Sequence, residues 1–259
     1  RMVGCWVGGA LAVGAVGLVL WEVVGAFPYF IPFFNGLSGG QKRGYTHLVD
    51  SSLDWGQALP ALKSFMDVEA LRERPGGGKL NFYVSYFGLG NPLYHNISDG
   101  AGYNVMHLHS SVSGVSRPKH LEEVNLALSP GWFCIGASML QPVYNAHAPG
   151  NWNAHYELIY RRQARFLQRL MTVRPVLLQP LVSGMFPELA DMPRMLKWAD
   201  AFRLARLCAF FRARDPDAQP GFGFNAYKVT AQDLRRFSHG PAPPETARND
   251  MTFLRVNLQ

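Results

Sequence analysis

The opening of this chain constrains it more than any other part. Residues 2–24 read MVGCWVGGALAVGAVGLVLWEVV, apolar throughout except for Glu22. About 20 apolar residues, rising 1.5 Å each, cross the hydrocarbon core of a bilayer. The run therefore predicts a transmembrane helix. Gly4 and Gly8, and likewise Ala10 and Gly14, have the small-xxx-small spacing that lets membrane helices approach closely. The competing reading, a buried helix of a soluble protein, must accept glycines that weaken a helix in water. The run lacks the short apolar core and small-residue cleavage site of a secretory signal.

Residues 27–40 (FPYFIPFFNGLSGG) follow, with Phe27, Tyr29, Phe30, Phe33 and Phe34 close behind Trp21. Such clustering is that of an aromatic belt at a membrane interface. Pro28 and Pro32 break regular structure, and a glycine-rich turn then releases the chain into polar sequence. The expected organisation is a transmembrane helix over 1–26, an aromatic interfacial linker over 27–40, and an extracytoplasmic α/β domain over 41–240. A tail over 241–259 completes it, and its TFLRVNL could add an edge strand.

The 259 residues are 48% hydrophobic and 17% charged, which excludes a disordered chain. Three cysteines exclude a disulfide scaffold. Net charge of +7 permits anionic partners without choosing among them. Apolar patterning predicts strands over 45–50, 79–86, 131–138 and 221–230, and helices over 54–74, 152–172 and 188–214. Residues 88–130, rich in Gly, Asn, Ser and His, read as long loops. Strand, helix, strand implies a right-handed βαβ unit. The fold class is therefore α/β: one N-terminal transmembrane helix, then a small three-layer-like domain with a mostly parallel sheet.

In open α/β sheets, ligands bind outside the carboxyl ends of parallel strands. Asp50, Asp54, Tyr86 and Ser138 fall at such ends, and Ser51, Trp55 and Gln57 accompany them. Carboxylates beside aromatic rings suit a rim that grips a sugar or peptide acceptor. The same residues fit a structural role. Asp54 with Gln57 three positions later matches a helix N-cap, Asp50 and Ser51 can brace the turn, and Trp55 can anchor the helix to the sheet. Residues 156–172 place Ile159, Gln163, Phe166, Leu167 and Leu170 on one helical side, and Arg161, Arg162, Arg165 and Arg169 on the other. That basic face suits anionic lipid, the phosphate of a lipid-linked sugar, or plain solvation.

His107 and His109 form an H-x-H, with His95 and His120 near in sequence. Without a carboxylate or cysteine at ligand spacing, no metal site is expected, and no cofactor. Nucleotide-binding and nucleophile-elbow glycine motifs are lacking. So is a nucleic-acid-binding module, and no nucleic-acid partner is expected. A bridge between Cys134 and Cys208 is conceivable outside the cytoplasm, but spacing gives no distance.

The most distinctive text is YTHLVDSSLDWGQALPALKSFM after FPYFIPFFNGLSGG. It resembles bacterial membrane glycosyltransferases of family 39, relatives of the dolichyl-phosphate-mannose–protein mannosyltransferases. Asn35, Gly36, Leu37, Gly39 and Gly40 match, followed by Val49, Asp50, Ser51, Leu53, Asp54, Trp55, Gly56 and Gln57. Tyr86, Phe87, Gly88, Pro92 and Tyr94 match a second motif, and GWFCIGASMLQPVY a third. The stretch RLARLCAFFRARDPDAQPGFGFNAYKVT resembles the closing strand region, so the likeness covers most of residues 20–232. Ser52, Ala58 and Asn91 depart from the usual Asn, Asp and Asp, and polar roles resting on those side chains do not carry over.

The resemblance implies an enzyme that takes sugar from a polyprenyl-phosphate donor. It implies many preceding helices, with the catalytic acid in an early extracytoplasmic loop. This chain then corresponds to the carboxy-terminal accessory part, with no catalytic residue of its own and inactive alone. Its expected partners are membrane lipid, the missing polytopic region, and a lipid-linked sugar or a glycan or protein acceptor. The alternative is a membrane-anchored, non-catalytic binding domain. Arg1 precedes the span while Lys42 and Arg43 follow it, which by the positive-inside rule points the domain to the cytoplasm. The resemblance points it to the periplasmic side of the inner membrane, and the expectation follows the resemblance.

Overall fold

The computed structural model describes residues 2–48, 53–73, 78–100, 102–108, 128–145, 148–172 and 192–243. Helix α1 (Met2–Ala26) is followed by α2 (Leu59–Glu73), β1 (Leu80–Ser85), β2 (Tyr103–His107) and β3 (Gly131–Gly136). Then come α3 (Ala137–Leu140), α4 (Ala154–Thr172), α5 (Met192–Arg212), β4 (Phe224–Val229) and α6 (Ala231–His239).

Within α1, the 19 residues Gly8–Ala26 form a helix long and apolar enough to cross a membrane. Leu11, Val13, Leu18, Leu20 and Trp21 are exposed rather than packed in a core. Each such aliphatic side chain forgoes roughly 1.5–3 kcal/mol of burial while it faces water. Lipid would relieve that deficit.

The end of α1 is tied to the linker. Gly36 donates its N–H to Glu22 Oε1 at 3.0 Å, and Gln41 Nε2 donates to the Tyr29 carbonyl at 2.7 Å. Gln41–Thr46 then forms a 3-10 turn, where a strand over 45–50 was expected. Thr46 Oγ1 closes it by donating to the Arg43 carbonyl at 2.7 Å. Phe34 lies so close over Gly44 that a Cβ there would sit 2.3 Å from its ring. The β-prone Tyr45, Thr46 and Val49 mimic a strand in the sequence, but side-chain closure and this ring contact set the turn. His47 and Leu48 extend the turn, both donating to the Gly44 carbonyl, and residues 49–50 lie outside the described residues.

The sheet has the order β2-β1-β3-β4. Strand β1 pairs in parallel with β2 and β3, while β4 runs antiparallel to β3. The sheet is therefore mixed, not mostly parallel. Helices α4 and α5 pack on each other, and the chain re-enters beside the end of β3, where Gly136 pairs with Phe224. Strand β2 lies where only loops were expected.

Period-2 alternation sends the strands' side chains to opposite faces. Phe82, Val84, Trp132, Cys134, Phe224 and Ala226 pack against Leu59, Leu62 and Met66 of α2. Tyr83, Phe133, Ile135 and Tyr227 pack against Leu204, Leu207, Cys208 and Phe211 of α5, and against Leu234 and Phe237 of α6. Helices thus cover both faces. Cys134 and Cys208 belong to these two separate clusters and both are free thiols. The conceivable bridge is not formed.

Helix α6 was not expected, although its start is written in the sequence. Thr230 Oγ1 accepts from the Asp233 N–H at 3.2 Å, and Asp233 Oδ2 accepts from the Thr230 N–H at 3.0 Å. This reciprocal capping box satisfies two otherwise unpaired donors. Thr230→Ala is expected to lower stability by about 1 kcal/mol in urea unfolding. No loss would mean that α6 is held by Leu234 and Phe237 alone. The tail beyond 243, with its possible edge strand, lies outside the described residues.

Candidate functional site

Ends of three strands meet at one rim of the sheet. Ser85 closes β1, Gly136 closes β3, and Phe224 opens the antiparallel β4. The Ala137 N–H donates to the Gly223 carbonyl at 2.8 Å, joining two of these ends. The turn leading into α2 packs against the same rim.

Asp54 is the centre of that turn and only 3% exposed. Its Oδ1 accepts the N–H groups of Gly56 at 2.8 Å and Ala58 at 3.3 Å. Gln57 locks the turn from the other side. Its Oε1 accepts from the Trp55 N–H at 2.7 Å, and its Nε2 donates to the Leu53 carbonyl at 3.0 Å. The capping reading of Asp54 and Gln57 is therefore the one that the hydrogen bonds support, and α2 starts only at Leu59 because this turn occupies 53–58. Asp54 Oδ2 is buried with no hydrogen-bond partner among the described residues. Gly223 packs on it: a Cβ there would sit 3.0 Å from Oδ2 and 2.6 Å from the Ala58 Cβ.

Tyr86 shares this junction. Its ring stacks on Phe224 with centroids 5.9 Å apart. Three glycines surround its hydroxyl, since a Cβ on Gly56, Gly88 or Gly90 would lie 3.1, 2.3 or 3.1 Å from Oη. Gly56 and Gly88 also hold φ values of +119° and +138°, where a side chain is strained. Ser138 is buried in α3, directly after the joined strand ends. Trp55, a possible anchor of α2 to the sheet, is 51% exposed. With Leu89, Leu93 and Tyr94 it belongs to a set of exposed apolar groups near the rim in sequence and fold. Asp50 and Ser51 lie outside the described residues.

Burial pushes the Asp54 carboxyl up to about 6, against the pull of the N–H bonds from Gly56, Ala58 and Trp55. Burial, and then the Asp54 charge, push the Tyr86 hydroxyl up as well. The folded chain holds the Asp54 proton up to about pH 6, whereas an ordinary aspartate releases it near 3.8. The folded state binds more protons in that window, so this group's contribution to stability falls as pH rises through it. The loss is on the order of 3 kcal/mol. Unfolding of Asp54→Asn, which keeps a capping oxygen, is expected to gain that much on the parent chain between pH 4 and pH 7. A pH-independent difference would show an ordinary aspartate.

The second expected feature is altered by the structure. On α4 the expected Ile159, Gln163 and Leu167 are buried or half-buried, together with Tyr156, Glu157, Tyr160 and Ala164, while Phe166 is exposed. Arg161 is half-buried and engaged: its Nε donates to Glu157 Oε1 at 2.7 Å and its Nη2 to the Gly240 carbonyl at 2.8 Å. Arg162, Arg165 and Arg169 remain on the exposed side. The expected four-arginine face is thus a three-arginine face.

Sequence reasoning missed the buried partner of Glu157. Arg206 of α5 is 1% exposed and binds that carboxylate through Nε at 2.9 Å and Nη2 at 3.1 Å. It also donates to the Phe237 carbonyl, and lies over the Tyr160 and Phe237 rings at 5.1 and 4.9 Å. A charge on the apolar side of α5 was the available signal. Also missed was a cleft of about 400 Å³ lined by Lys42, Arg43, Gln141, Arg212, Arg214 and Asp215.

His107 is half-buried, with Nε2 3.1 Å from the Ile97 carbonyl, and burial pulls its pKa down. His109 lies outside the described residues. Among the described residues no group of three His, Cys, Asp or Glu is placed to hold a metal ion. Comparison of the chain with protein-family models, curated proteins and solved structures finds no match.

Proposed function

We propose that this chain is the accessory domain of an integral-membrane glycosyltransferase using a polyprenyl-phosphate-linked sugar, and that it stands on the extracytoplasmic side. One observation carries the reading. The stretches that resemble such enzymes are far apart in sequence, yet Asp54, Gly56, Tyr86, Gly88 and Gly223 pack at a single junction. The shared motifs are then explained as the means of building this rim.

In this account Asp54 is a positioning residue, not the catalytic base. One of its oxygens is committed to backbone N–H groups and the other is buried against Gly223. The base that activates the acceptor hydroxyl belongs to the polytopic part of the enzyme, and the lipid phosphate is the leaving group. The exposed Trp55, Leu89 and Tyr94 shape the approach of the acceptor. The same burial of Asp54 favours, as a second reading, a membrane-anchored binding domain that needs no catalytic core.

Membranes from cells with and without the gene, supplied with radiolabelled sugars on a short polyprenyl phosphate, separate these readings. The first predicts that transfer from one donor is lost on deletion and returns with the gene. Undiminished transfer from every donor would reject it.

A further inference from the structure

We propose that the cleft between the Gln41–Thr46 turn and the end of α5 binds the phosphate of an anionic phospholipid headgroup. The proposal needs α1 to enter a bilayer, but it does not depend on sugar transfer. Its first support is charge. Lys42, Arg43, Arg212 and Arg214 line the cleft, and Asp215 is the one carboxylate among its lining residues. Arg214 is paired with Asp217. Lys42, Arg43 and Arg212 make no ion pair among the described residues.

Arg212 is the telling group. Its Nη1 donates to the Leu140 carbonyl at 2.7 Å, while its buried Nε has no hydrogen-bond partner among the described residues. A half-buried guanidinium without a carboxylate is costly, and burial pulls its pKa below the ordinary arginine value. A phosphate in the cleft would supply the counter-charge that this guanidinium lacks among the described residues, and guanidinium and phosphate form short charge-assisted bonds.

The second support is depth. Gln41, next to Lys42, donates to the Tyr29 and Ala26 carbonyls, and Ala26 is the last residue of α1. Gln219 Nε2 holds the Lys42 carbonyl at 2.9 Å, and the Tyr29 and Phe222 rings meet at 5.8 Å. The cleft is thus pinned to the end of the apolar helix, where headgroups lie. Its volume of about 400 Å³ is within the usual range of small-molecule sites. A lipid is the favoured source of the phosphate because the site is held at that level by the anchor itself.

The test uses the full chain, delipidated in detergent, with phosphatidylglycerol or phosphatidylcholine added and bound lipid counted by native mass spectrometry. Phosphatidylglycerol should be retained preferentially. The Lys42→Gln, Arg43→Gln variant changes two exposed side chains and should bind it about thirtyfold more weakly. Circular dichroism of that variant should match the parent chain. Equal retention of the two lipids, or unchanged binding by the variant, would overturn the proposal. So would displacement of the lipid by submillimolar inorganic phosphate, which would assign the cleft to a free anion.

Discussion

Arg206→Met is expected to lower the unfolding free energy of the domain by about 3 kcal/mol, a large share of a small domain's stability. The reason is the partner left behind. Burial raises the energy of the Glu157 charge, yet hydrogen bonds from Arg206 and Trp152 hold its carboxyl below the usual glutamate range. Trp152 Nε1 donates to Glu157 Oε2 at 2.9 Å and Arg161 Nε to Oε1 at 2.7 Å, so three residues hold the carboxylate. Methionine keeps the bulk against Tyr160 and Phe237 but takes away the buried partner of that charge, leaving it the half-exposed Arg161. It also leaves the Phe237 carbonyl without its Arg206 donor. Urea unfolding followed by circular dichroism measures the loss. Adding Glu157→Leu should restore much of it, because a buried apolar pair does not pay the desolvation that the ion pair requires. A loss under about 1 kcal/mol, typical of an exposed pair, would contradict this reading.

Gly88→Ala is the second large effect, about 3 kcal/mol from strain and overpacking together. The new Cβ would lie 2.3 Å from Tyr86 Oη, at a φ of +138°. Tyr86 cannot swing away, because its ring is packed in the core with Phe224. Gly40→Ala separates the two causes. It has a φ of +68° but nothing within 4 Å of the added carbon, so it should lose only about 1 kcal/mol. Combining Gly88→Ala with Tyr86→Phe should recover part of the larger loss by removing the overlapping oxygen. Equal losses for Gly88→Ala and Gly40→Ala would show that backbone strain alone matters.

The elements legible in the sequence were those with strong periodicity. Long apolar α1, α2, the buried β3 and the two long helices fall close to where patterning puts them. Strand β2 escaped because it is a five-residue strand at the edge of the sheet, mostly half-buried and set among glycines and polar residues. Strand β4 lies within the expected 221–230, but its antiparallel direction escaped because that depends on where α4 and α5 return the chain, which periodicity does not encode. The capping box of Thr230 and Asp233 was written in the sequence and passed unnoticed.

The rim was legible in part. Asp54, Gln57 and Tyr86 do gather at one place, but their neighbours Gly56, Gly88, Gly90 and Gly223 carry no chemical signal in a linear reading. Arg206 was hidden for another reason. A charge on the apolar side of RLARLCAFFR is visible in the sequence, but its carboxylate, 49 positions away, is not.

The proposed extracytoplasmic side of the domain, with α1 as its anchor, is tested most directly by side-specific labelling. Leu89 is 68% exposed near the rim, while Cys134 and Cys208 are buried, and burial pushes the Cys208 thiol up to about 12. In a Cys5→Ala background, Leu89→Cys therefore supplies a single reactive thiol. The account predicts that a membrane-impermeant maleimide labels it in intact spheroplasts as fully as after lysis, with the chain retained in carbonate-washed membranes. Labelling only after lysis, or release of the chain by carbonate, would contradict it.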